Sequence, residues 1–212
     1  IEGLLARVWK TALGSNIPTP FPRISFEEVM NRWGIDKPDT RFDMELVDMT
    51  HDFASSEFKV FSGNVAKGGV VKALNAKGFA CVTQGQMETM TDYAKSFGAK
   101  GLAFIKVENG EWKSPIVKFF SDTEKAALQE KLDIEEGDLI LFAADKWLNA
   151  CEILGKIRLY CAEKLSEMGK MSIPADRYNF LWVVEFPLLM FDKEIDRWYS
   201  SHHPFTSPVE ED

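Results

Sequence analysis

Histidine, cysteine and long apolar runs are all scarce in this sequence, and positive charge is in deficit. Three cysteines, Cys81, Cys151 and Cys161, stand among 212 residues. They form no Cys-x-x-Cys pair and cannot all join, which points to reduced, buried thiols and away from a disulfide framework. No apolar run approaches the roughly 20 residues that cross a bilayer, and no basic-then-apolar leader opens the chain. Lys and Arg number 25 against 33 acids, for a net charge of −8. Phosphate binding needs clustered cations, so this chain is not expected to be a main docking surface for nucleic acid.

What is present reads as a globular protein. The hydrophobic share is 45% and the charged share 27%, values that argue against wholesale disorder. The length admits one large domain or two small ones. The opening "IEGLLARVWKTALG" reads as a helix already under way, with neither an initiator Met nor a cap. The chain is therefore expected to be cut from something longer.

Periodicity divides the chain into elements. Leu4, Leu5, Val8, Trp9 and Leu13 predict one apolar helix face over residues 1–13, with Gly14 as the stop. Three prolines in "NIPTPFPR" hold a connector extended. Ser25 and Glu28 have capping-box spacing ahead of a helix that Gly34 ends. From Glu57, "FKVF", "GGVVKALNA" and "GFACVT" predict short strands. Met87, Met90, Tyr93, Ala94 and Phe97 step as a helix. "GLAFIKV" and "SPIVKFF" predict a strand pair across Asn109 and Gly110, Ser121 and Glu124 a second capping box, and "GDLILFAA" a further strand. A long helix after Asp145 places Trp147, Ala150, Cys151, Leu154, Ile157, Cys161, Leu165 and Met168 on one stripe. Gly155 inside it costs about 1 kcal/mol against Ala, which suggests close packing. "NFLWVVEFPLLMF" reads as a strand buried on both faces. Hairpins without regular βαβ crossovers favour an α+β fold, a two-layer antiparallel sheet with helices, over residues 57–169.

Chemistry-bearing residues are few. "YSSHHPFTSP" puts His202 and His203 side by side on a proline-stiffened segment. An imidazole with a pKa near 6.5 can donate to a carboxylate and gain a proton as the anion binds. Pro204 and Pro208 limit the backbone freedom that binding would otherwise remove. By spacing alone, two ordinary surface histidines are the simpler reading. No further His or Cys lies at ligand spacing nearby, so no metal site is expected. Glu185, in the apolar run, should have a structural partner, or failing that face an active site. Asp36, Lys37, Asp39 and Arg41 read as a turn with local ion pairs, with tRNA or nucleotide contact as the alternative. Lys67, Lys72 and Lys77 form a locally basic stretch that could touch a phosphate backbone, although a solvated hairpin is the simpler reading. His51 reads as a surface or cap residue, and Met87 with Met90 as core.

Several stretches together resemble one family. "TPFPRISFEEVMNRWGIDKPDTRF" resembles the sequence after the second class signature of bacterial-type aspartyl-tRNA synthetases. "VKALNAKG", "FGAKGLAFIKV", "SPIVKFFSD", "GDLILFAADK" and "LGKIRL" look like the GAD domain inserted in those enzymes. "FLWVVEFPLL" and "HHPFTSP" match where the class II catalytic core resumes. The likeness spans essentially the whole chain. Ile35, Thr40 and a short hairpin at 62–69 depart from the pattern.

The resemblance implies three stretches: a catalytic-core segment and connector at 1–56, a GAD-type insertion at 57–169, and a return to the core at 170–212. It also implies a cytoplasmic, homodimeric ligase, with no membrane attachment. That ligase activates L-aspartate with ATP and Mg to aspartyl-adenylate and charges tRNA(Asp). In that family the His-His-Pro-Phe-Thr segment lies at the amino-acid pocket, which assigns His202 to bound aspartate, with His203 beside it lining or orienting the segment. The ATP-handling signatures fall outside these 212 residues, so no catalytic residue is assigned and the isolated chain is expected to be inactive. The alternative is a non-catalytic GAD-type binding module of a tRNA-dependent amidotransferase-like protein. A third reading, a small enzyme using His202 and Glu185 as acid and base, requires turnover by the isolated chain.

Overall fold

The structure is a computed structural model describing residues 1–192 and 195–201. In chain order the elements begin with α1 (Glu2–Leu13), β1 (Arg23–Ser25), α2 (Phe26–Trp33), β2 (Leu46–Asp48) and α3 (Lys59–Val65). β3 (Val70–Ala76), α4 (Gln84–Lys95), β4 (Ala103–Glu108), β5 (Glu111–Lys113) and α5 (Asp122–Leu132) follow. The last are β6 (Leu139–Asp145), α6 (Trp147–Glu167), β7 (Trp182–Val184), β8 (Leu189–Asp192) and β9 (Arg197–Ser200). They fall into two compact units, Val29–Asn179 and the residues on either side of it.

The larger unit is built on one antiparallel sheet of order β2-β3-β6-β4-β5. β3 and β6 pair along seven residues, with Leu74 opposite Leu141 and Ala73 opposite Phe142. Side chains alternate across a sheet, and here both faces are apolar. Leu74, Leu139 and Leu141 face α4 and α6, where Met87, Met90, Leu154, Ile157 and Cys161 complete one core. Val71, Ala73, Ile105, Ile140 and Phe142 face α3 and α5 with Phe53, Phe61, Phe120 and Leu128. Rings there meet edge-on and tilted, Phe53 lying 5.1 Å from Phe61 and 4.8 Å from Phe120. The fold is α+β and antiparallel as expected, but the sheet is covered on both sides. Three layers replace the two expected, because the strand centres carry large apolar residues on each face.

Other expectations are corrected locally. "FKVF" is the start of α3, since Phe61 packs on the sheet at helical spacing from Phe58 and Val65. "GFACVT" is a turn, held by Gly78 N–H donating to Asp138 Oδ1 (3.0 Å) and Ala80 N–H to Gly137 O (2.8 Å). The hairpin at Asn109–Gly110 forms, but its return arm is β5, and "SPIVKFF" contains a 3-10 turn at Val117–Phe119. Both expected caps hold in geometry: Ser25 Oγ accepts Glu28 N–H, and Ser121 with Glu124 makes a reciprocal box. A third box, Thr83 with Gln86, starts α4.

The apolar run from Asn179 is not one buried strand. Glu185 has φ 58 and Pro187 has no N–H to donate, so the run breaks between β7 and β8. Leu188 and Leu189 are half exposed.

Candidate functional site

The smaller unit holds the stretches on which the site expectation rests. β1 and β7 form a parallel pair, Arg23 beside Trp182 and Ser25 beside Val184. The carboxylate of Glu2, at the start of α1, ties the pair to the helix. It accepts the Trp182 indole N–H at 2.7 Å and Phe21 N–H at 3.1 Å, with Arg23 Nη2 at 3.8 Å. Those bonds, the Trp182 one foremost, hold the Glu2 carboxyl below the ordinary range. Phe180 stacks on Phe21 at 5.2 Å and takes the edge of Trp9 at 4.9 Å.

Both parallel strands end at the same level, where β1 runs into α2 and β7 into Glu185. Glu185 is exposed, not a buried charge in search of a partner. Its left-handed backbone is strained for a residue with a Cβ. β8 and β9 then form a hairpin with Leu189 opposite Ser200, closed by Ser201 N–H donating to Leu188 O at 3.0 Å. His202 and His203 lie outside the described residues.

In the larger unit the Asp39 turn is locked. Arg41 grips Asp39 with two parallel bonds, Nε to Oδ1 at 2.9 Å and Nη2 to Oδ2 at 2.7 Å, and donates to Pro174 O at 3.1 Å. The Arg41 hydrogen bonds hold the Asp39 carboxyl below its ordinary value. Arg158 of α6, fully buried, reaches the same loop. It donates to the carbonyls of Met44 (2.6 Å), Asp39 (2.8 Å) and Phe42 (3.2 Å), and its guanidinium lies 4.1 Å from the Phe42 ring centre. Burial pushes its pKa down to about 10, against the pull of Asp39 and Glu45. An open groove of about 490 Å³ beside this loop is lined by Asp39, Arg41, Phe42, Glu163 and Glu167. Arg158 escaped the sequence reading because a lone Arg beside an apolar stripe gives no sign of which backbone it will meet.

Two of the three lysines in the basic stretch are engaged within the fold, and Lys67 is exposed. Lys72 is buried on the sheet, its amine 2.9 Å from Asp48 Oδ2 and 2.8 Å from Asn31 Oδ1, which also takes the Trp147 indole N–H at 2.8 Å. Burial raises the Asp48 carboxyl, but the bonds from Lys72 and Thr50 outweigh it and leave the pKa low. Lys77 pairs with Asp133 and Glu135. Only two of the three thiols are buried. Cys151, raised to about 11 by burial, and Cys161 are in the core, whereas Cys81 is exposed. His51 is exposed, and Met87 and Met90 are core. Among the described residues no cluster of His, Cys, Asp or Glu could hold a metal ion. No helix there is long and apolar enough to cross a membrane.

Comparison with known proteins bears on both units. The GAD domain family matches residues 61–154, which lie inside the larger unit. An aspartate–tRNA(Asp/Asn) ligase of Opitutus terrae is 58% identical over 211 residues, covering 100% of this chain and 36% of the relative. One from Geotalea uraniireducens is 43% identical over 212 residues, covering 100% of this chain and 35% of that protein. An aspartate–tRNA ligase of Halalkalibacterium halodurans is 45% identical over 212 residues, with the same coverage. Residues 61–154 are similar to the GAD domain family, and the whole chain is similar to one part of these aspartate–tRNA ligases. It spans about a third of the length of these relatives, and its match continues through both flanks of the GAD domain.

Proposed function

We propose that this chain is the part of an aspartate–tRNA ligase in which the GAD domain is inserted between two stretches of the class II catalytic core. The core stretches are 1–56 and 170–212, and the insertion is 57–169. The compact unit is wider than that insertion, so residues 29–56 fold with it. The parent enzyme condenses L-aspartate with ATP to aspartyl-adenylate and passes the aspartyl group to the terminal adenosine of tRNA(Asp). It does so in the cytoplasm, as a homodimer. Mg supplies charge neutralisation at the phosphates when bound. The residues described here do not fit it, and no step in this chain runs through it.

This chain contributes to the amino-acid pocket. The hairpin of β8 and β9 leads directly to His202, which donates a hydrogen bond to the aspartate carboxylate, and His203 supports that segment. Catalysis in the parent then rests on positioning and on donors aimed at developing charge.

The single observation that carries this reading is a match along the whole chain at 43–58% identity, where the GAD domain accounts for residues 61–154 alone. A detached binding module needs only the latter. The test is aspartate-dependent exchange of pyrophosphate into ATP, run on the 212-residue chain and on the full-length parent. Exchange by the parent alone is expected. Exchange by the isolated chain would overturn the division of labour, and none by the parent would overturn the activity.

A further inference from the structure

The two units differ in how completely they bury themselves. In the larger one both faces of a five-stranded sheet are covered. In the smaller one, β1 and β7 are three residues each and pair in parallel with no further strand on either side among the described residues. Parallel strands are stable when buried on both faces within a wider sheet, and a lone short pair is not.

α1 shows the same incompleteness. Its inner side packs through Glu2 and Trp9, yet none of its residues is buried. The helix also leaves apolar side chains uncovered, with Leu4 at 66% exposure and Val8 at 45%. With Arg7, Thr11 and Ala12 these line an open groove of about 430 Å³. The spacing 4, 8, 11, 12 is one continuous helix face. Lys10 and Gly3 lie on a different, polar flank.

We propose that the Leu4–Val8–Ala12 face of α1 is an interface within the parent ligase, covered by polypeptide that lies outside these 212 residues. This rests on the reading of the chain as part of that enzyme. Two observations select this occupant. The relatives extend far beyond the matched segment, of which this chain covers only 35–36%. The bare helix face also belongs to the same unit as the open strand edges, so one neighbouring layer completes both. Arg7, exposed at the rim, calls for a carboxylate on the covering surface.

The test uses single cysteines in a Cys81→Ser background, at Val8→Cys and, as a control on the polar flank, at Lys10→Cys. Maleimide labelling of native protein is timed in the 212-residue chain and in the full-length parent. Both positions are expected to label fast in the short chain. In the parent, position 8 should slow by at least about tenfold relative to position 10, because burial restricts access to transient openings. Equal rates at position 8 in the two proteins would overturn the proposal. So would protection in the parent that vanishes as its concentration is lowered through subunit dissociation, which would assign the face to a second copy. A parent that exchanges pyrophosphate but labels fast at position 8 defeats this inference alone.

Discussion

Gly34 and Gly155 meet backbone to backbone, the end of α2 resting on the middle of α6. A Cβ built on Gly34 would lie 2.8 Å from the Gly155 Cα, and one built on Gly155 would lie 2.6 Å from the Gly34 carbonyl carbon. Gly34 also has φ 68, so it is the left-handed stop of α2 as well as half of the contact. Neither glycine can be replaced without moving a helix.

Gly155→Ala is therefore expected to destabilise the chain, although Ala is the better helix former. Propensity favours Ala by about 1 kcal/mol, while forcing atoms into a packed contact costs roughly 1–3 kcal/mol, and here the obstacle is rigid main chain. The net loss should be up to about 2 kcal/mol, read as a lower urea midpoint at unchanged slope. A variant more stable than the parent sequence would show that the helices can separate freely.

Limited proteolysis should yield a stable piece close to residues 29–179. Cutting near 57 would remove β2, which pairs with β3 through Leu46–Leu74. It would also remove the three carbonyls that accept from Arg158 Nε and Nη2. Buried donors left without acceptors cost about 1–3 kcal/mol each. A resistant product beginning at 57, identified by mass, would contradict this.

What the sequence made legible follows the length scale of each signal. Helices with capping pairs and three-and-four spacing, such as Ser121–Glu124 and the Met87/Met90 stripe, were readable because the cause is local. So was the close approach at Gly155, since an interior glycine in a long apolar helix has few other reasons. The second layer over the sheet was not, because "FKVF" is β-prone by composition and becomes helical only by seating Phe61 against Phe142. The run through Val184 looked like one buried strand until the left-handed backbone at Glu185 broke it, a choice made by tertiary context. Lys72 looked like a surface cation because nothing adjacent in sequence announces Asp48 and Asn31 as its partners. The resemblance to aspartate–tRNA ligases was legible from the motifs taken together, and the two histidines on which the site expectation rests lie beyond the described residues.

Acid should weaken the Asp39 turn in a defined direction. Arg41 holds that carboxyl below its unfolded pKa of about 3.9. Its contribution is thus fully present above about pH 4 and is lost as pH falls through the lower, folded value. Asp39→Asn should reduce stability at pH 6 by up to about 1 kcal/mol, the range of a partly exposed ion pair. The gap from the unsubstituted chain should close in acid as pH falls through the lowered folded value, where the native carboxyl is protonated too. Unfolding midpoints at that pH and in acid test this, and a gap that persists unchanged in acid would show that the charge is irrelevant.

His202→Ala in the full-length parent should weaken aspartate binding far more than ATP binding. A hydrogen bond to a charged group is worth about 1.5–3 kcal/mol, so the KM for aspartate in pyrophosphate exchange should rise roughly 10- to 150-fold. The KM for ATP should move little, since the imidazole is assigned to the amino acid's carboxylate. His203→Ala should do less, because that ring is expected to support the segment more than to touch the substrate. The order of the two effects is the sensitive part. If His203→Ala raised the aspartate KM as much as His202→Ala while unfolding midpoints stayed unchanged, the substrate contact would have to be reassigned to the second ring. If neither moved it, the pocket would lie elsewhere in the parent enzyme.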